Sequence, residues 1–208
     1  MHAIHAGLHG DLHETAPALR IRTLTMALSA TVYHIQIELS DVDRGVYESL
    51  DLRVARHPSE SMPYLLTRVI AYALLFEEGI AFSKGLSTTD EPALWVKDLQ
   101  GNLRVWVELG TPSAERLHKV SKASPRVVVF TQHDPRLLVR EVQGRTIHKI
   151  DQIEVYALEP PFLDRLGALT DRNTDWTLMR NDGSLYITVG GETVSGTVSR
   201  HALIQEND

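Results

Sequence analysis

Apolar and polar residues alternate from Thr31 to Leu39, with Tyr33, Ile35, Ile37 and Leu39 set against Val32, His34, Gln36 and Glu38. A period of two predicts a strand with one buried face. Asp41-Val42-Asp43-Arg44-Gly45 then supplies a turn, and Leu50, Leu52 and Val54 alternate again between Tyr47 and Ala55. The folded unit is therefore expected to open on an antiparallel pair. Arg56-His57-Pro58-Ser59-Glu60-Ser61 interrupts this pattern. Ser59 or Ser61 can cap a helix there, and Pro63 is tolerated in its first turn. Met62, Leu65, Leu66, Val69, Ile70, Ala73 and Leu74 recur at spacings of three and four, so a long helix is predicted, ending at Gly79. Tyr64, Thr67 and Arg68 lie off the apolar stripe.

A short strand is expected over Ile80 to Leu86, followed by a polar loop from Ser87 to Glu91 that Pro92 ends. Ala93 to Leu99 and Leu103 to Gly110 flank Gln100-Gly101-Asn102 and read as a hairpin. In its second arm Leu103, Val105, Val107 and Leu109 share one face, which puts Arg104, Trp106 and Glu108 on the other. Thr111-Pro112 reads as a cap and first turn of a helix running to Ala123. Leu117 and Val120 face inward there, and Glu115, Lys119 and Lys122 share another face. Arg126 to Thr131 is a short β-branched run of the kind buried on both sides of a sheet. A strand around Ile150 to Ala157 and a helix from Pro161 to Leu169 come next. A hairpin then pairs Trp176 to Met179 with Leu185 to Val189 about Asn181-Asp182-Gly183, and a last strand spans Thr193 to Val198. There is no internal repeat.

Composition narrows the chemistry. At 208 residues, 43% hydrophobic and 23% charged, the chain has the material for a substantial core. It contains no cysteine, which excludes disulfides and zinc–thiolate sites and leaves oxygen or imidazole for any metal. Residues 1–25 hold His2, His5, His9 and His13 without an apolar period and are expected to form a poorly ordered extension, leaving 26–208 as a single domain. No apolar run reaches the ~18 residues of a membrane span, and no signal-peptide core is visible, so a cytoplasmic location without membrane association is expected. The net charge of −6 disfavours non-specific adhesion to nucleic acid, although a local basic surface remains compatible with it. Walker A, GxGxxG, GxSxG and HExxH patterns are all absent, which removes a nucleotide cofactor, a serine hydrolase elbow and a histidine zinc site.

One constellation stands out. Asp90 and Glu91 precede Pro92 at the start of one strand, Glu108 lies near the end of the next, and Lys119 follows on a helix. Hard oxygen ligands on neighbouring strands suit Mg²⁺, which can activate a water for attack on a phosphodiester, with an ammonium group to orient it. Glu60, at the head of the long helix, is a further ligand candidate. It would equally complement the helix dipole without any ligand. Arg53, Arg56, His57, Arg68, Lys84 and Arg116 are candidate phosphate contacts. Each residue also has a plain structural role open to it: Glu108 facing solvent from a sheet edge, Lys119 paired with Glu115 for ~0.3–0.5 kcal/mol, Asp90 and Glu91 in a loop beside a turn proline.

The order helix, strand, hairpin, helix, strand resembles the PD-(D/E)XK nuclease core. Asp90-Glu91-Pro92 stands where that core has its first acid, and Glu108 where it has its second. The lysine expected two residues after the second acid is replaced by Gly110. Relocation of that amine to the following helix makes Lys119 the candidate, with Lys122 behind it. RHPSE at 56–60, FSKGL at 82–86, DEP at 90–92, WVELG at 106–110 and ERLHK at 115–119 together resemble the YaeQ family, a variant of that nuclease fold. The resemblance implies an α/β, restriction-endonuclease-like mixed sheet flanked by helices, with added antiparallel strands at both ends. It also implies a metal site of Asp90 or Glu91, Glu108 and Glu60, assisted by Lys119. Two functions follow as expectations: a Mg²⁺-dependent phosphodiester hydrolase acting on nucleic acid, or a catalytically inactive module of that fold that binds nucleic acid or regulates a partner.

Overall fold

The computed structural model describes residues 30–83 and 90–204. Thr31–Asp41 (β1) and Val46–Arg56 (β2) form the expected antiparallel pair, with Ile35 opposite Leu52 and Ile37 opposite Leu50. Met62–Leu74 (α1) begins at the N-cap Ser61, whose side chain accepts from the Tyr64 N–H. Ile80–Phe82 (β3), Leu94–Lys97 (β4) and Leu103–Leu109 (β5) follow as two antiparallel pairs. The later half of the strand expected over Ile80 to Leu86 lies outside the described residues, as do Lys84 and the 1–25 extension.

Ala114–Ala123 (α2) starts later than the Thr111-Pro112 signal suggests. Ser113 is the cap, accepting from the Arg116 N–H, because a hydroxyl three residues before an available N–H satisfies an otherwise orphaned donor. Arg126–Thr131 (β6) leads to Arg136–Val142 (α3), a helix the sequence pattern did not reveal. Ile150–Gln152 is a 3-10 turn rather than strand, entered through Lys149 at φ 48°. Glu154–Leu158 (β7), Pro160–Leu169 (α4), Asn173–Asn181 (β8), Ser184–Val189 (β9) and Glu192–His201 (β10) complete the order.

The ten strands among the described residues join one mixed sheet in the order β2-β1-β8-β9-β10-β7-β6-β5-β4-β3. β5, β6 and β7 are parallel, as are β1 and β8, and the remaining pairs are antiparallel. The first and last strands of the chain therefore lie together in one half of the sheet, rather than extending it separately on two sides. β10 is the seam, pairing β9 along one part of its length and β7 along the other. Only a long final strand can serve both neighbours.

α1 meets α4 and also β2, β3, β5 and β6, so the sheet curls round it. This enclosure changes the reading of the helix. Thr67 and Arg68, expected on its solvent side, are buried along with Leu65, Leu66, Val69 and Ile70. A helix covered on all sides must satisfy its polar groups internally: the Thr67 hydroxyl donates to the Pro63 carbonyl, and Arg68 to Ala55 O and Glu60. α4 closes over α1 because Gly196 on β10 admits the ring of Phe162, which lies 2.4 Å from where a Cβ would stand. β6 is buried on both faces, Val128 and Phe130 joining the α1 core while Val127 and Val129 join the smaller core beneath α2 and α3.

Candidate functional site

Glu108 ends β5 on the face away from α1, as the alternation predicts, and α2 lies across that face. Its Oε1 accepts from Trp106 Nε1 at 2.5 Å and from Arg116 Nε at 2.6 Å. Arg116 reaches this position because the Ser113 cap starts α2 beside the end of β5, placing the first helical turn over the carboxylate. The same guanidinium donates through Nη2 to the backbone carbonyl of Glu91 at 2.7 Å and stands over the Trp106 ring, 5.2 Å from its centroid. Arg116 thus bridges Glu108 and the Asp90-Glu91-Pro92 segment.

Lys119, one turn further along α2, pairs with Asp90 at 2.8 Å and not with Glu108 or Glu115. Both partners are largely in solvent, 67% and 77% exposed. The hydrogen bond and charge of Lys119 hold the Asp90 carboxyl below its ordinary range, with a smaller contribution from Arg116. Asp90, Glu91, Glu108, Arg116 and Lys119 therefore share one neighbourhood.

Glu60 lies at the head of α1 with its carboxylate fully buried. It accepts from the His57 N–H at 3.0 Å and from Arg68 at 3.2 Å. Burial pushes its carboxyl up despite the opposing charge of Arg68, and burial likewise pulls the Arg68 guanidinium down. Tyr64, one turn into α1 from Glu60, has its phenol raised by burial, against the charge of Arg68 and with smaller raising contributions from the charges of Glu60 and Glu108.

The phosphate-contact candidates separate by exposure. Arg53 points to solvent from β2, and His57 is exposed with its ring bound to Ser59. Arg56 gives its Nε to the Glu60 carbonyl. Arg68 is buried and committed to Glu60 and Ala55, which corrects its reading as a surface phosphate contact. Arg116 is committed to Glu108 and Glu91. Sequence reasoning named Arg116 but missed its bond to Glu108, since the only signal, a cap three residues upstream, was masked by the competing Thr111-Pro112 pair.

A hard divalent ion requires several oxygens converging at short range. Among the described residues no group of three or more His, Asp or Glu side chains is disposed to hold a metal. Oε1 of Glu108 already carries two donors, Asp90 is drawn out to Lys119, and Glu60 is locked on Arg68. In this arrangement the residues do not fit the ion.

Fold and site together define a mixed α/β protein in which one large sheet curls round a buried helix and carries an ion-paired acidic site at the end of β5. The chain belongs to the YaeQ family: the model of the YaeQ protein family matches residues 26–198. It is 27% identical over 164 residues to the uncharacterized protein YaeQ of Escherichia coli (strain K12), covering 78% of this chain and 90% of that one, and 28% identical over 163 residues to its Salmonella typhi counterpart. The crystal structure of the YaeQ protein from Pseudomonas syringae superposes with a TM-score of 0.73 at 30% identity, covering 82% of this chain and 95% of that one. The YaeQ protein from Xanthomonas axonopodis pv. citri gives 0.75 at 29%, covering 83% and 98%. Among the described residues no helix is long and apolar enough to cross a membrane.

Proposed function

We propose that this chain is a nucleic-acid-binding protein on a PD-(D/E)XK-type, restriction-endonuclease-like sheet, in which Arg116 supplies the bridging positive charge that the Mg²⁺ reading assigns to a metal. The observation that carries this reading is the pair of bonds from one guanidinium to Glu108 and to the Glu91 carbonyl. They tie together the two segments that a nuclease would join through its ion. A fixed cation there neutralises Glu108 and leaves binding to contacts with the phosphate backbone, which are salt-dependent and need no metal.

A second reading, Mg²⁺-dependent phosphodiester hydrolysis, draws support from the gathering of Asp90, Glu91, Glu108 and Lys119 in one neighbourhood around Arg116. One experiment separates the two. Labelled single-stranded DNA, duplex DNA and RNA are incubated with the protein in EDTA or with Mg²⁺ or Mn²⁺, and both anisotropy and strand integrity are followed. The binding reading expects retention in EDTA, weakening with added salt, and intact strands. Metal-dependent cleavage that disappears in Glu108→Gln would overturn it in favour of hydrolysis. Absence of both binding and cleavage would remove both.

A further inference from the structure

The sheet ends on β2 at one side and on β3 at the other. β3 has three residues and little backbone to offer, whereas β2 runs for eleven without a proline, in unbroken register with β1. A long regular edge is a template for another strand, and proteins ordinarily shorten, kink or cover it.

Hydrogen bonding fixes which groups of β2 point outward. The His34 N–H donates to the Arg172 carbonyl and the Val42 N–H to the Arg180 carbonyl, so the even-numbered residues of β1 bond to β8. Its odd-numbered residues therefore bond to β2, where they face Val46, Glu48, Leu50, Leu52 and Val54. Tyr47, Ser49, Asp51, Arg53 and Ala55 are left with N–H and C=O directed away from the sheet. The Ala55 carbonyl agrees with this parity, since it accepts from Arg68 at 2.7 Å. Among the described residues nothing bonds the backbone of the other four, and all four are exposed.

The side chains along this edge are ordered to meet their own copies. Two antiparallel copies bring outward-directed residues opposite one another only when the two-fold axis passes through a residue, not between two. An axis at Asp51 or at Arg53 sets like charges face to face. At Leu50 it puts Arg53 opposite Tyr47 and Asp51 opposite Ser49, pairing no charges. At Leu52 it puts Asp51 opposite Arg53 and Glu48 opposite Arg56, each pair occurring twice. Directly opposed unlike charges stabilise a strand pair and like charges oppose it. Asp51 is 66% exposed and meets His34 through Oδ1 alone, and Arg53 has no ionic partner among the described residues.

We propose that a second copy of this chain pairs β2 to β2, antiparallel about a two-fold axis at Leu52, so that the two sheets continue into one. Charges on an edge strand ordinarily deter pairing; here their order deters every register named above but one. The centre of the ladder is the exchange of N–H and C=O bonds between Asp51 and Arg53, with Ser49 opposite Ala55 at its ends. The contact is isologous and closed: pairing consumes the edge it offers and stops at two chains. This inference stands apart from the nucleic-acid reading.

The test is sedimentation equilibrium of the full chain across the micromolar range, with wild type, Arg53→Asp, Asp51→Arg and the double variant carrying both. Wild type should approach twice the mass of one chain. Each single reversal sets like charges across the axis and should raise the dimer dissociation constant about ten-fold or more, and the double variant should restore it. Hydrogen exchange on wild type needs no substitution: the amides of Asp51 and Arg53 should gain protection as concentration rises, while those of Leu50 and Leu52, already bonded to β1, should not change. A monomer at every concentration, a dimer indifferent to both reversals, or reversals that the double variant fails to rescue overturns the pairing. Should a reversal fail to fold by circular dichroism, the concentration dependence of those amides decides alone.

Discussion

Removing Arg116 should cost this fold more than any ordinary surface charge would. The Glu108 and Arg116 side chains are only 11% and 18% exposed, and Arg116→Ala would strip the carboxylate of a 2.6 Å charge-assisted donor while leaving it beside a single indole N–H. A hydrogen bond to a charged group contributes about 1.5–3 kcal/mol. Breaking a fully buried pair costs about 3–5 kcal/mol because the abandoned charge remains desolvated. The residual exposure lets water relieve part of this, so the expected loss is about 2–4 kcal/mol, with a fall in Tm of about 4–15 °C for a domain of this size. Urea unfolding of wild type, Arg116→Ala, Glu108→Gln and the double variant gives the coupling directly. The double variant should lose less than the sum of the singles by at least ~1 kcal/mol. A coupling below ~0.5 kcal/mol would mean that the pair is a surface ornament, and the bridging role assigned to Arg116 would fall with it.

Two further outcomes are expected. Burial raises the Glu60 carboxyl above its ordinary 4.5, so the folded state retains this proton longer than the unfolded chain does. The stabilisation is complete below about pH 4.5 and is lost as pH rises through the folded value. Glu60→Gln should therefore remove a falling component from the stability–pH curve above that point, measured by thermal melts across pH; a curve parallel to wild type would contradict the assigned cause. At Gly79, φ is 89° and a Cβ would fall 2.0 Å from the Lys97 carbonyl oxygen. Gly79→Ala should thus be much more destabilising than Gly101→Ala, where φ is 84° but the space is open and only the left-handed penalty of about 1–2 kcal/mol applies. Equal melting temperatures for the two variants would refute the close approach of β4 to this turn.

Much of the element order was readable because each signal was local. The alternation of β1 and β2, the capped stripe of α1, the hairpin through Asp182-Gly183 and the β-branched run of β6 all appear where periodicity and turn chemistry put them. α3 escaped because seven residues provide too few turns to show a period, and Pro135 before it reads equally well as a loop. The apolar lead residue makes Ile150–Gln152 read as strand, whereas the left-handed Lys149 turns the chain there. At the site, the positions of Glu108 on its strand and Lys119 on its helix were legible; their partners were not.

Local pattern thus settled most of the strands and helices, though not α3 or the turn at Ile150–Gln152, together with which face of β5 carries Glu108 and, through the ordered motifs from 56 to 119, the family. Folding in three dimensions decided that the two ends of the chain meet in one half of the sheet, that α1 is enclosed with Arg68 inside it, and that Arg116 rather than Lys119 takes Glu108. The division has a physical basis. Periodicity and capping act over one or two turns of chain, while the strength of a charge pair depends on distance and on how much water the surrounding elements exclude. That exclusion exists only once α2 has closed over β5.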